Sequence, residues 1–195
     1  MLTSHTDRLP LDAFVSGGFV AALVASPLGR ISGARMNPAV TVMLWLAGKT
    51  PAARVPLHLS AQLAGSLPGT ALGRALLGTP LAHPNVRYAL VSPAISRTPV
   101  LIGIGEAVAT AVLLAIVLRV VGDPDLEEVA SAVIGTTLAV LILLTAGTTG
   151  SSRDPARQFG PWVMAGAPGP IWPYLAGPMA AAVVVGAPAR LLPSR

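Results

Sequence analysis

Long apolar runs alternate with short polar stretches along most of the chain. Residues 13–29 carry no charged side chain, and residues 55–78 form a weaker run holding Pro68, Arg74 and a Gly69-xxx-Gly73 pair. Residues 99–121 are apolar apart from a central Glu106 and a terminal Arg119, residues 129–147 hold no charge, and residues 171–192 form a last run. A membrane-crossing helix needs about 20 mostly apolar residues, so each of the five reads as a full span. Two further runs, 38–48 and 162–167, are too short to cross. Runs of that length read as re-entrant or interfacial pieces. The pattern therefore predicts an all-α membrane protein with five spans and two half-length helices.

Composition agrees. Hydrophobic residues make up 53% of the 195 and charged residues 11%, against about a quarter charged in soluble domains. Neither a soluble surface nor a disordered chain fits that balance. With no cysteine, disulfides and thiolate metal sites are excluded. The net charge of +5 comes from singly scattered basic residues. That scatter suits membrane loops and gives no ground for a nucleic-acid partner. His5, His58 and His83 are dispersed, and no catalytic constellation, cofactor site or metal site is expected. The preference for Arg over Lys, with abundant Ala, Gly and Pro, suggests a GC-rich, bacterial genome.

The two short runs begin alike. Gly33-Ala-Arg-Met-Asn37-Pro38-Ala39 and Gly150-Ser-Ser-Arg-Asp154-Pro155-Ala156 lie 117 residues apart. Asn and Asp are strong N-caps, and Pro is favoured at the first helical position because its missing N–H needs no partner there. Each motif should start a short helix. Paired broken segments in two hydrophobic halves point to a pore or binding site at the membrane centre. Two helix N-termini meeting there would orient water oxygens toward themselves and oppose cations. Arg157 follows Asp154 by three residues, one turn on. Its guanidinium is always charged and offers five donors. Glu106, an acid inside a span, is functional or structural and should be paired within the bundle.

The stretches 29–41 and 149–161 resemble the two signatures of the aquaporin, or major intrinsic protein, family. Ala61-Gln62-Leu63-Ala64-Gly65 is similar to its third-helix motif, and Gly177-Pro178 falls where its last helix carries Gly-Pro. The resemblance covers about residues 13–190. It implies an aquaporin-like right-handed bundle and a passive channel, not an enzyme, for water or small neutral solutes such as glycerol. It further implies a multi-pass protein of the plasma membrane that forms homotetramers in the lipid bilayer. Asn37, Pro38 and Ala39 would meet Asp154, Pro155 and Ala156 at the pore centre. Arg157 would be the filter arginine, and Glu106 would accept hydrogen bonds from the re-entrant backbone.

Set against the family pattern, the chain divides into a polar tail (1–12), an incomplete first repeat (13–78: helix 2, half-helix, helix 3), a connecting loop (79–98) and a second repeat (99–192: helices 4 and 5, half-helix, helix 6). Five spans stand in place of six, and the missing one is the first. A longer natural protein, a truncation that still folds, and a degenerate non-conducting copy all remain open. Asp154 replaces the second asparagine of the family, which removes an N–H donor and adds a negative charge. An ungapped count places Gly17, Ile142 and Ser151 beside Arg157 in the filter, a small, partly aliphatic set that favours solutes larger than water. Arg30 and Arg35 stand where histidines are common. With Lys49, Arg54, Arg119, Arg190 and Arg195 they form the expected cytoplasmic side. Arg8, Arg87, Arg97 and Arg153 form the opposite one.

Overall fold

A computed structural model describes residues 5–191 apart from 94 and 122. Among the described residues every regular element is helical. The order is α1 (His5–Ala25), α2 (Pro27–Ser32), α3 (Pro38–Leu46), α4 (Val55–Leu77), α5 (Pro99–Val121), α6 (Glu127–Thr149), α7 (Pro155–Met164) and α8 (Trp172–Ala189), with short 3-10 turns between some of them. The 23 residues of α4, α5 and α6 each extend about 35 Å at 1.5 Å per residue, enough for a hydrocarbon core of about 30 Å. Of these, α5 and α6 are also apolar enough to cross a membrane by composition alone. Leu57, Leu72, Leu76, Val108, Leu144 and Val184 all lie open on the outer faces. An outer surface this apolar suits lipid rather than water.

Two expected boundaries move. The polar tail over 1–12 is helical from His5 onward, while residues 1–4 lie outside the described residues. The apolar stretch of α1 already starts at Leu9. At the other end the first span stops at Ala25 instead of running through residue 29. Pro27 has no N–H to continue the ladder. The Ser26 Oγ instead accepts from the Gly29 N–H at 3.1 Å and so caps the short helix α2. The connecting loop 79–98 is packed against the second half-helix. The Gln158 side chain of α7 bonds both polar groups of Val91, accepting from its N–H at 3.3 Å and donating to its carbonyl at 3.0 Å.

The core gathers around the first half-helix. Ala39, Met43 and Leu44 of α3 are buried together with Leu113, Leu114 and Val117 of α5, Leu141 of α6 and Ala181 and Ala182 of α8. Small residues set the helix spacings. A Cβ at Gly177 would come within 2.5 Å of the Gly103 carbonyl, which brings α8 hard against α5. The same device joins α1 to α6, where Gly17 and Gly135 face each other and a side chain at either would strike the other's carbonyl. Close backbone approach through small residues is the usual packing mode in lipid, where apolar contact alone drives little association.

Candidate functional site: two facing half-helices

Both motifs start helices through their own side chains. The Asn37 Oδ1 accepts from the Ala39 N–H at 2.8 Å, with Pro38 opening α3. The Asp154 Oδ1 accepts from the Ala156 N–H at 2.9 Å and the Arg157 N–H at 3.3 Å, with Pro155 opening α7. The two starts meet: the Asn37 Nδ2 donates to the Arg153 carbonyl at 2.9 Å. The donor capacity of asparagine makes this bridge, since its oxygen is used for the cap and its amide is free to reach across. A carboxylate has no such donor, so the bridge is one-way.

The loop before Asp154 is tightly bent. Gly150, Ser151 and Arg153 all have positive φ, at 86°, 65° and 52°. Two of these are not glycine, a conformation that costs energy unless the surroundings impose it. The surroundings here are Glu106 of α5, fully buried. Its Oε1 accepts from the Ser152 N–H at 3.1 Å and the Thr149 Oγ1 at 2.6 Å, and its Oε2 accepts from the Arg153 N–H at 2.5 Å. Tyr174 of α8 adds a bond from its hydroxyl to the Thr149 carbonyl at 2.8 Å. The loop before Asn37 is held differently. Gln62 of α4 donates from Nε2 to the Arg35 carbonyl at 2.7 Å and to the Thr41 Oγ1 at 2.9 Å.

A cavity of about 580 Å³ lies beside the paired helix starts. Asp154, Ala156 and Arg157 face it from α7, Gln62, Ser66 and Thr70 from α4, Phe19 from α1 and Met36 from the first loop. Ser66 also ties α4 to α7, donating to the Ala156 carbonyl while accepting from the Gly160 N–H at 2.8 Å. The cavity thus sets one carboxyl, one guanidinium and four neutral polar groups, those of Gln62, Ser66, Thr70 and Tyr88, among apolar walls.

Of the four residues counted to the filter, only Arg157 lies on this cavity. Gly17 is buried in the contact between α1 and α6, where its missing side chain serves helix packing. The ungapped count kept the residue number but could not show which face of α1 that residue occupies. Phe19, two residues on, reaches the cavity instead. Ser151 is 5% exposed, with its hydroxyl 2.7 Å from that of Thr145. Ile142 is half-buried on α6 and lines no part of this cavity. Arg153, expected on the side of the membrane opposite the cytoplasmic one, is buried there, its side chain 1% exposed.

An all-helical membrane bundle in which two proline-started half-helices, one from each half of the chain, meet cap to cap is a recognised class of architecture. The chain belongs to the family of major intrinsic proteins, whose model matches residues 2–187. It is 35% identical over 170 residues to aquaporin NIP1-3 of Oryza sativa subsp. japonica, covering 87% of this chain and 57% of that one. It is 30% identical over 174 residues to the probable aquaporin NIP7-1 of Arabidopsis thaliana, covering 89% and 62%. It is also 35% identical over 152 residues to the probable aquaporin AqpM of Archaeoglobus fulgidus, covering 74% and 58%. The matched part is therefore about three fifths of each relative's length.

Proposed function

We propose that this chain forms a passive transmembrane channel for water and small uncharged solutes. The observation that carries the reading is the meeting of the two half-helix starts through the Asn37 Nδ2 and the Arg153 carbonyl, next to a cavity walled by Arg157 and Asp154. Helix N-termini that meet in apolar surroundings present positive potential to anything that passes. Water turns its oxygen toward them, and a cation is opposed. Arg157 adds a permanent charge and several donors, suited to a solute hydroxyl. Apolar wall on the remaining sides accommodates the carbon skeleton of a small polyol such as glycerol. No step in this reading is catalytic. The relatives named aquaporins support it, as does the apolar outer surface. A homotetramer in the plasma membrane is the assembly that accords with the family.

One observation favours a second reading, a non-conducting membrane protein that only assembles. The cavity lies between α1 and α4, with Phe19 on one side and Gly69, Gly73 and Leu77 on the other. These two helices pack chiefly on α6 and α7 respectively. A path open on that side would bring lipid against polar loop backbone, which is costly. Stopped-flow swelling of liposomes holding the purified chain, under water and then glycerol gradients, separates the two. Rates well above empty liposomes are expected. Rates equal to empty liposomes would establish the non-conducting reading.

A further inference from the structure

The connecting loop over 79–98 brings an aromatic side chain, Tyr88, to the wall of the cavity. Its backbone there runs against the preference of L-residues. Arg87, Tyr88 and Ala89 are three consecutive non-glycine residues in the left-handed region, with φ of 43°, 57° and 62°. Such residues cost energy, and a run of them persists only where the surroundings impose it. The surroundings pin the turn at both ends. Before it, the His83 carbonyl accepts from the Val86 and Arg87 N–H groups, both at 2.8 Å. After it, Val91 is held by both polar groups of the Gln158 side chain. The Ser92 backbone lies against Gly150, where a Cβ would come within 2.8 Å of the Ser92 nitrogen. Across the turn, the Arg87 Nη2 donates to the Ser92 Oγ at 2.7 Å.

The turn packs on α7, the half-helix that carries Arg157, and the anchoring Gln158 is the residue next to Arg157. Tyr88 and Arg157 face the same cavity. Tyr88 is half-buried, and among the described residues nothing bonds its hydroxyl. A tyrosine that served only to pack the loop would be buried, with a partner for its hydroxyl. Here a strained turn sets an amphipathic ring into the cavity wall instead.

We propose that Tyr88 is a specificity-determining residue of the channel. Held in the wall by the left-handed turn, its ring limits the width of the cavity it shares with Arg157. An unbranched polyol such as glycerol passes, and a branched one is turned back. This rests on the channel reading. The ring is rigid and its loop is pinned, so the limit is fixed rather than adaptable. Arg157 donates to the solute hydroxyls while the ring face meets the carbon skeleton. Water is narrower than the limit, so its passage does not depend on Tyr88.

Wild type, Tyr88→Phe and Tyr88→Ala in liposomes test this by stopped-flow swelling under gradients of an impermeant osmolyte, glycerol and pentaerythritol, a branched polyol. Wild type should pass water and glycerol and exclude pentaerythritol. Tyr88→Ala should raise the ratio of pentaerythritol to glycerol flux about tenfold and keep water flux within about twofold, because selectivity of this kind follows pore diameter. Tyr88→Phe, which keeps the ring, should keep the wild-type ratio. If Tyr88→Ala does not fold by size-exclusion chromatography, Tyr88→Leu replaces it, keeping apolar bulk on the loop without the ring. It should shift the ratio in the same direction. A merely structural role would lower all three fluxes together and leave their ratio unmoved. A folded Ala or Leu variant with the wild-type ratio therefore overturns the inference, as does a wild type that passes pentaerythritol as readily as glycerol. Wild-type vesicles without water flux overturn the channel reading and the inference with it. Wild-type flux beside an unshifted Tyr88→Ala overturns the inference alone.

Discussion

The two re-entrant loops share a spacing, a cap and a proline, yet they are anchored by different chemistry. The second loop runs through three positive-φ residues and is clamped by the Glu106 carboxylate, which takes two backbone N–H groups and the Thr149 hydroxyl. The first loop leaves the helical path at Gly33 and Ala34, with φ of 66° and 52°. It is held by the neutral Gln62 amide at one carbonyl and by a bond from the Ala34 N–H to the Gly29 carbonyl at 2.7 Å. A carboxylate accepts strongly from several donors at once, and bonds to charged groups are about twice as strong as neutral ones. The Gln62 amide in its place donates from one nitrogen, to the Arg35 carbonyl and the Thr41 hydroxyl, without a charge behind either bond. The contrast implies that the second half carries the more rigid half-site and the first half the more adaptable one, although the sequence writes both with nearly the same letters.

Removing the clamp should have the largest effect. Glu106→Ala leaves the N–H groups of Ser152 and Arg153 and the Thr149 hydroxyl without their acceptor, at about 1–3 kcal/mol for each buried group. Loss of the folded protein in detergent, followed by size-exclusion chromatography and thermal melting, is expected. A Glu106→Ala protein that melts within a few degrees of wild type would show that the loop holds itself.

Next in size is the glycine contact that sets α1 against α6. Gly135→Val puts two methyl groups where the Gly17 backbone lies, and overpacking of this kind costs about 1–3 kcal/mol. A lower melting temperature is expected, with the second half-helix loop retained. The same change at Gly147, where a Cβ meets nothing within 4 Å, should be silent and serves as the control.

Gln62→Leu tests the weaker anchor. It removes the donor to the Arg35 carbonyl and to Thr41, and a net loss of about 1 kcal/mol is expected. The melting temperature should fall less than for Glu106→Ala. An equal or larger fall would reverse the ranking of the two loops.

The smallest effect on stability is expected from Asp154→Asn, since both residues cap helices equally well. The melting temperature should hold, and water flux should stay within about twofold while the one-way bridge from Asn37 gains a possible return donor. Proton leak should be no higher than in wild type, because a negative charge has left the pore centre. Leak that rises in Asp154→Asn would show that the carboxyl contributes to exclusion rather than weakening it.

Much of this was legible without coordinates. Apolar runs of membrane length, separated by glycine- and proline-bearing turns, marked the spans because a helix in lipid must satisfy its backbone internally and show apolar side chains outward. The Asn37-Pro38 and Asp154-Pro155 pairs marked the half-helix starts because capping and proline at the first position are local effects. Glu106 stood out because an acid inside a span needs a partner, although the sequence could not name Ser152, Arg153 and Thr149 as its donors. Gly17 was misplaced for one reason. Counting along a helix gives position but not azimuth, and a turn of the helix separates a pore wall from a packing face.

The sequence by itself determined the membrane class, the helix starts and the family, because hydrophobic length, capping and motif spacing act over a few residues or repeat along the chain. Only the tertiary structure decided which side chains share the cavity and which are spent in packing. It brought Asn37 to the Arg153 carbonyl and Glu106 beneath the second loop. It also turned Arg153 inward to Thr145 and Ser151. Those pairings join residues far apart in the chain, or depend on how a tight loop is bent, and they follow from how the helices pack rather than from any local preference.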